Sequence, residues 1–303
     1  MVASEYRRVE SFAGNGRISK LNGVTRKVER RPALFWRLRR PLRVFFCFVV
    51  LVFSVFVPPG VAQSQVADEP EANPGRPTIS TPATLTPTGY PQFETGFLGA
   101  SHSPEFSSRY GFNEVTKLSI DSRLELLASG EPIAHYTASG TSANSVADVF
   151  VGAQGVVLFG EGARPTVAAS YFHRAYDGGV PEVDFGSPTN SALILASADV
   201  KGFHYDANAL FNELTQNGVR RGQFGQTLSI SHPLVSKLTL SGEVWHFTQP
   251  FLRSHTVGNL WALSYAARKN LVFDGGFNRG LTSTSTRWEA FVGFTYLFPR
   301  RLW

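Results

Sequence analysis

Alternation of apolar and polar residues is the dominant pattern of the chain from Tyr90 onward. In the clearest stretch, residues 117–126, the apolar positions are Leu118, Ile120, Leu124 and Leu126. The intervening positions are Lys117, Ser119, Asp121, Arg123 and Glu125. Because a β-strand turns successive side chains to opposite faces, this segment is predicted to be one strand with an apolar face and a charged face.

The same period recurs to the end of the chain. In the last stretch the apolar face is formed by Trp288, Ala290, Val292, Phe294, Tyr296 and Phe298. The pattern predicts twelve strands, at residues 91–100, 104–111, 115–127, 146–159, 165–174, 191–200, 203–213, 223–232, 237–247, 256–267, 270–279 and 286–298.

The connections between these strands alternate between tight and long. Tight links are predicted at residues 111–114, 160–164, 201–202, 233–236 and 268–269. Long links are predicted at residues 128–145, 175–190, 214–222, 248–255 and 280–285. Short periplasmic turns and longer outer loops are typical of outer-membrane barrels, and only the first hairpin departs from this sorting.

The expected fold is therefore all-β, a transmembrane antiparallel up-and-down β-barrel of about twelve strands. Ten tilted residues span roughly 25 Å, the height of the apolar band of such barrels. Aromatic residues at both ends of the last strand suit the interfacial girdles, which Trp245, Trp261 and Tyr265 could join. The alternative is a soluble β-sandwich or lipocalin-like barrel, whose strands also alternate.

The N-terminal segment is predicted to be an export signal. Residues 1–62 carry 12 of the 29 basic and 3 of the 23 acidic residues, so the excess positive charge lies there. Several arginines precede a 14-residue apolar run, Val44 to Val57, and a small-residue cleavage site ends at Ala62. A transmembrane anchor is the alternative, although the run is shorter than the usual span of about 20 residues.

Residues 63–88 are rich in proline, which removes backbone donors and fixes φ, so they are expected to form an extended periplasmic leader outside the fold. Residues 89–303 are then the barrel. After Ala62 the chain holds 17 basic and 20 acidic residues, a balance that predicts no nucleic-acid surface. The single cysteine, Cys47, lies in the signal, which leaves no disulfide framework or thiolate metal site.

Charged residues on the polar face are the candidate lumen lining. They are Lys117, Asp121, Arg123, Glu125, Asp206, Glu243, Asp274, Arg287 and Glu289. Two interpretations stay open: a salt-bridged plug that stabilises the barrel, or a constriction that sets solute preference. His204 and Asp206 share this face and are read as a hydrated pair rather than an acid–base couple. No enzymatic or cofactor motif is present, so neither activity nor cofactor is predicted.

Residues 106–126 resemble a hallmark of one barrel family. An arginine-aromatic-glycine turn, here Arg109-Tyr110-Gly111, leads into an Arg-Leu-Glu-Leu strand, here residues 123–126. Residues 147–154 and 202–208 are similar to further segments of that family. It is the outer-membrane group labelled MetA-pathway of phenol degradation, and the resemblance runs from about Gln92 to Trp303. It implies an outer-membrane location and a transport role, without establishing phenol as the substrate.

The expected function is a channel or transporter in the bacterial outer membrane. It would pass small solutes, with hydrophobic or aromatic ones among the candidates, through a polar lumen. The expected partners are outer-membrane lipid, the solute, and the barrel-assembly machinery, which would recognise the C-terminal strand through Phe298 or Trp303. The alternatives are a plugged structural barrel and, third, a lipid-acting enzyme.

Overall fold

The computed structural model describes residues 70–184 and 186–303, so the predicted signal lies outside the described residues. This part of the chain forms one sheet of fourteen strands. They are β1 Pro91–Ser101, β2 Ser108–Ser119, β3 Leu124–Gly130, β4 Ala134–Ala138, β5 Thr141–Ser145, β6 Val149–Leu158, β7 Thr166–Tyr176, β8 Pro188–Val200, β9 Phe203–Gln216, β10 Val219–Val235, β11 Leu238–Gln249, β12 Ser254–Arg268, β13 Leu271–Gly280 and β14 Trp288–Leu297. Across the described ranges, no helix has the length and apolarity needed to cross a membrane.

Twelve of these strands close into an antiparallel barrel. Each pairs with the barrel strands that precede and follow it in the sequence, and β3 pairs with β6 because the strands between them lie outside the ring. The ring is closed by β1, which pairs with both β14 and β2. The other two, β4 and β5, form a hairpin whose first strand pairs with the start of β2. The predicted all-β, twelve-strand transmembrane barrel is therefore confirmed.

The barrel wall is apolar outside and polar inside. Ile194, Val244 and Val292 lie near strand centres, and each leaves more than half of its surface exposed. By contrast, Glu94 and Gln154 on the inner face are about 1% exposed. A soluble protein buries its apolar side chains, whereas a barrel that meets hydrocarbon presents them outward and closes its backbone hydrogen bonds on itself.

The aromatic residues divide between the two faces. Trp261 and Tyr265 are 48% and 47% exposed on the outer face, in line with a place in a girdle. Trp245 instead points into the barrel, where it is 2% exposed and its Nε1 donates to Asn278 Oδ1 at 2.8 Å. Its position on the polar side of the alternation explains why it does not join the outer belt.

The two ends of the barrel differ in their connections. At the end where β1 begins and β14 ends, here called the inner end, links such as Lys201–Gly202 are tight, with φ of 52° and 83°. At the opposite, outer end the connections are mostly longer. The exception is Asn217–Gly218, a two-residue turn with φ of 51° and 77°, the values of a type I′ hairpin. The long loop predicted at residues 214–222 is thus wrong: β9 and β10 continue to this turn.

The predicted strands 104–111 and 115–127 are also wrong, as is the tight link between them. Residues 111–114 pair with β1 inside a continuous β2, and the chain turns at residues 120–123. Oδ1 of Asp121 accepts from the backbone N–H groups of Arg123 and Leu124, which fixes this turn. Because Ser119 pairs with Glu125, six positions further along the chain, inward-facing residues stay at odd-numbered positions on both sides of the turn. The alternation therefore continues through the turn and conceals it.

Candidate functional site: the plugged lumen

Most of the predicted lumen residues lie inside the barrel. Those whose side chains are buried on the inner face are Lys117, Glu125, Asp206, Glu243 and Asp274. Glu289 is half-buried on the inner face of β14, where its Oε1 accepts from Asn278 Nδ2 at 2.7 Å. These strands present their charges inward because the neighbouring positions carry the apolar belt.

Three predicted lumen residues lie elsewhere. Asp121 and Arg123 are exposed in the turn at the inner end, and the Arg123 guanidinium covers the Phe159 ring, 4.7 Å from its centroid. Arg287 is exposed in the loop that precedes β14. The prediction placed all three inside strands, but both segments have already left the wall, so these assignments are corrected.

The described part of the proline-rich segment, residues 70–88, fills the inner part of the lumen, contrary to the prediction that it lies outside the fold. We call residues 70–90 the inner plug. It enters at the inner end, where the Ala72 N–H donates to the Lys269 carbonyl, and returns there to start β1. Asn73 Nδ2 donates to the Thr84 carbonyl at 2.8 Å and so ties the two arms of this loop together.

The rising arm of the inner plug is held by carboxylates of the wall. Glu94 accepts from the backbone N–H groups of Gly75 and Arg76, at 3.0 to 3.2 Å, and pairs with Lys117 at 2.6 Å. The Arg76 guanidinium pairs with Asp274 at 2.9 Å. Proline-rich backbone has no ladder partner of its own, so these side chains satisfy donors that water would otherwise bind.

The crossing and descending arm is held in the same way. Glu243 accepts from the backbone N–H groups of Ile79 and Ser80 at 2.7 and 2.6 Å, and from the Ser80 hydroxyl at 2.6 Å. Further along the arm, wall groups that accept from the plug are Asn208 Oδ1, Ser197 Oγ and Glu125 Oε2. Inward-facing acids of the wall therefore accept hydrogen bonds from the backbone of the inner plug. Through these bonds the plug connects strands that are far apart in the sequence.

A small apolar cluster also holds this arm. Ala83 is fully buried against Val156, Ala168 and Leu195 on the barrel wall. The inner plug is therefore fixed by polar contacts along its length and by one apolar cluster, to which Ala83 and Leu85 contribute, near its descending end.

A second segment closes the lumen from the outer end. We call residues 177–184 and 186–187 the outer plug. Its base is fixed by Asp148, whose Oδ1 accepts from the Gly178 N–H at 2.6 Å. Its tip places Val183 against Ala100 and Phe106 and offers Asp184 Oδ1 to the Thr286 N–H at 2.6 Å.

Two cavities lie on either side of the outer plug. The outer one, which we call the vestibule, has a volume of about 680 Å³ and is lined by loop residues that include Glu105, Phe251 and Leu252. The inner one, which we call the chamber, has a volume of about 180 Å³ and lies between the outer plug and residues 76–79 of the inner plug. Glu182 and Asp184 line both cavities, so these two acids form the partition between them.

The partition acids are enclosed with little compensating positive charge. Burial raises the pKa of Glu182 to about 8, with Arg109 opposing the shift and Glu131 adding to it. Burial likewise raises the pKa of Asp184 to about 6, while the Thr286 N–H opposes the shift. Desolvation disfavours the charged form of a carboxyl, so both groups hold protons more tightly than free carboxyls do.

His204 lies at the inner end rather than beside either cavity. Its Nδ1 is 2.8 Å from Asp199 Oδ1 and its Nε2 is 3.2 Å from Asp206 Oδ1. This short polar chain sits among the residues that start β9, with no nucleophile bonded to it among the described contacts. In the same described ranges, no cluster of three or more His, Cys, Asp or Glu side chains could hold a metal ion.

Several residues of the plugged lumen were not predicted from the sequence. They are Arg76, Glu94, Arg109, Glu131, Glu182 and Asp184. Glu94 carried a usable signal, because Gln92 and Glu94 alternate with Phe93 and Phe97 on β1. Arg109 belongs to the Arg109-Tyr110-Gly111 motif, which does not indicate that its side chain faces the lumen. The others lie in segments whose apolar and polar residues do not alternate.

Comparison with known proteins adds support for the fold. No family model matches the chain, and no curated protein matches it. Among solved structures, the COG4313 outer membrane channel from Pseudomonas putida F1 is similar over 75% of this chain and 100% of its own, with 12% identity and a TM-score of 0.53. The KdgM porin aligns over 68% of this chain and 99% of its own, with 12% identity and a TM-score of 0.47. The similarity to the COG4313 channel, together with the closed twelve-strand sheet, shows that the chain has the fold of an outer-membrane β-barrel.

Proposed function

We propose that this protein is a channel of the bacterial outer membrane whose lumen is closed at rest by two removable plugs. The observation that carries the proposal is the loop of residues 70–90, which enters and leaves the lumen at the same end. Such a loop can withdraw without unthreading. The resemblance of residues 106–126 to the MetA-pathway family agrees with this role, and we propose membership of that family.

The apolar outer face supports the membrane location. Exposed side chains such as Phe112, Phe224 and Val292 would be an aggregation hazard in water, whereas lipid covers them without cost. With the tight turns periplasmic, the inner plug faces the periplasm and the outer plug faces the exterior. Export of the chain by the signal within residues 1–62 belongs to the same proposal.

The contacts of the inner plug favour a channel over a permanently filled barrel. Many of them are hydrogen bonds from the plug backbone to wall groups such as Glu94, Glu243 and Asn208. Water can replace each of these bonds when the plug leaves, so each one contributes only a modest net free energy. The lumen that remains would be lined by the same polar groups.

The size of the chamber supports small solutes. An apolar cavity of about 150 Å³ accommodates benzene, so the 180 Å³ chamber has room for a single-ring molecule. Its walls include Leu98, Leu260 and Phe291 beside polar groups such as Asn113. We propose small solutes with an apolar body and a polar group as the class that the channel passes.

A structural barrel with a fixed plug is the second candidate. The fully buried Ala83, which packs against Val156 and Leu195, favours it, because that contact has the character of a folded core. The two candidates differ in what happens when the plug is removed.

Conductance in planar bilayers separates them. The mature chain is compared with a variant that lacks residues 70–86 and also carries Gly178→Val, which should undock the outer plug because a Cβ at this position would lie 2.2 Å from the Ala147 backbone. Both proteins are refolded and checked for the heat-dependent gel shift of a folded barrel. The channel proposal predicts brief openings of the complete chain and a large, steady conductance of the variant. A folded variant that conducts no ions and admits no small solute into liposomes would refute it.

A further inference from the structure

The chamber contains more carboxylates than cations. Four acidic residues line it, namely Glu131, Glu182, Asp184 and Glu289, against the two arginines Arg76 and Arg109. Both arginines are already paired, Arg76 with Asp274 at 2.9 Å and Arg109 with Glu131 at 2.8 Å. Within the described ranges, Glu182, Asp184 and Glu289 therefore form no ion pair.

The chamber also has acceptors that lack donors. Oδ1 of Asn113 and Oδ2 of Asp184 are buried without a hydrogen-bond partner among the described residues. The Glu289 carboxyl lies within hydrogen-bonding reach of the Asp184 carboxyl, but it can donate to Asp184 only while it carries a proton. A buried acceptor without a donor loses its hydration and gains nothing in return, so a ligand that donates would stabilise this region.

The environment of Glu182 in the partition also favours a cation as the ligand. The pKa of Glu182 lies near 8 because its surroundings supply too little positive charge to offset burial. A cation placed beside Glu182 would favour the ionised form, so its binding would displace a proton.

The remaining walls define the body of the ligand. Leu98, Val183, Leu260 and Phe291 provide apolar surface around a volume that suits one ring. Aromatic rings such as Phe291 attract a cation to their faces as well, and the Arg76 guanidinium already lies 5.7 Å from the centroid of that ring.

We propose that the chamber is a binding site for small organic cations, in which Glu182, Asp184 and Glu289 hold an ammonium group and the apolar walls hold its aromatic or aliphatic body. This site rests on the proposed function, because the cation that binds in the chamber would be a solute that the channel passes. An ammonium group offers three donors to acceptors that lack them.

Arg109 would favour an anion rather than a cation as the ligand. Its Nε is buried without a partner, and an anion could accept from it. Its terminal nitrogen is already bonded to Glu131, however, and an anion in the chamber would face three further carboxylates. The experiment therefore includes an anion of the same size.

Three probes that share one ring and differ in charge test the proposal. Benzylamine as its cation, benzyl alcohol and benzoate are titrated calorimetrically into the full mature barrel at pH 7.5, in a nonionic detergent at low salt. A charge-assisted hydrogen bond is stronger than a neutral one by enough for about a tenfold gain, so benzylammonium should bind at least about ten times more tightly than benzyl alcohol. Equal binding of the two, or tightest binding of benzoate, would overturn the proposal.

Two variants and a second readout locate the site. Glu182→Gln and Glu289→Gln should each weaken benzylammonium binding about tenfold and leave benzyl alcohol unchanged. Repeating the titration in buffers of different ionisation enthalpy should reveal protons released by the wild-type barrel and fewer released by Glu182→Gln. Glu161→Gln, in an exposed turn at the inner end, is the matched control and should behave like the wild type.

Binding and transport are measured separately, so their failures differ. If benzylammonium binds but the barrel never conducts, the cation site stands and the channel proposal falls. If the barrel conducts but benzylammonium shows no preference over benzyl alcohol, the channel stands and the cation site is refuted.

Discussion

Removing the Glu243 carboxylate should release the inner plug while leaving the barrel intact. This side chain is 3% exposed and accepts three hydrogen bonds from Ile79 and Ser80. A hydrogen bond to a charged group contributes about 1.5 to 3 kcal/mol, and three that share one carboxylate do not add in full. Glu243→Ala should therefore weaken the docking of the inner plug by about 3 kcal/mol. This loss raises the population of the withdrawn plug by about 100-fold.

A cysteine at Ala83 makes that population measurable. Ala83 is fully buried in the docked plug, and Cys47 lies within the predicted signal, which the mature chain would lack. The rate at which a water-soluble maleimide labels Ala83→Cys should rise by up to about 100-fold when Glu243→Ala is added, because only the withdrawn plug reacts. The control is Glu131→Gln, a buried acid that bonds Arg109 and Asn113 rather than the plug. Unchanged labelling in a folded double variant would refute the assignment of Glu243 as the main anchor.

Three further outcomes follow from the structure. Val292→Arg, at the centre of the apolar belt, should lower the free energy of unfolding in lipid by about 2 to 4 kcal/mol. Val157→Arg, near the inner rim, should lower it by at most about 1 kcal/mol. Equal losses for the two variants in denaturant titrations would contradict the position of Val292 at the membrane midplane. Docking of the outer plug should be strongest below about pH 4.5 and weaken as the pH rises towards 8, because Glu182 has a higher pKa in the docked plug than when free; proteolysis of this plug should therefore be faster at pH 9 than at pH 6, and Glu182→Gln should reduce that difference. Gly178→Val should undock the same plug, because a Cβ at this position would lie 2.2 Å from the Ala147 backbone; a wild-type proteolysis rate would count against that contact.

The fold could be predicted from the sequence because the barrel wall repeats one local rule. Alternation along β14, from Trp288 to Tyr296, marks which side chains face out, and the rule needs no knowledge of distant segments. It fails where a turn preserves parity, as at residues 120–123. It also fails at Asn217–Gly218, although that pair is a strong hairpin signal, because the polar residues on both sides of it have the composition of a loop.

The plugs could not be predicted from the same rule. Residues 70–90 have the composition of a linker, and their partners lie far along the chain: Ser80 bonds Glu243, 163 residues away. Proline and serine fit a solvated leader and a backbone held by side chains equally well. The same holds for Glu182 and Asp184, whose importance arises only when their loop folds back over the lumen.

An accessibility scan along β14 tests the account most directly. A nitroxide is placed at each position from Trp288 to Leu297 in turn, in lipid vesicles, and its collisions with oxygen and with a water-soluble nickel chelate are measured. Oxygen collisions should oscillate with a period of two, with maxima at the even-numbered positions, and the chelate should not reach Val292. Free access of the chelate to Val292, or the loss of the two-residue period, would contradict an apolar wall that faces lipid.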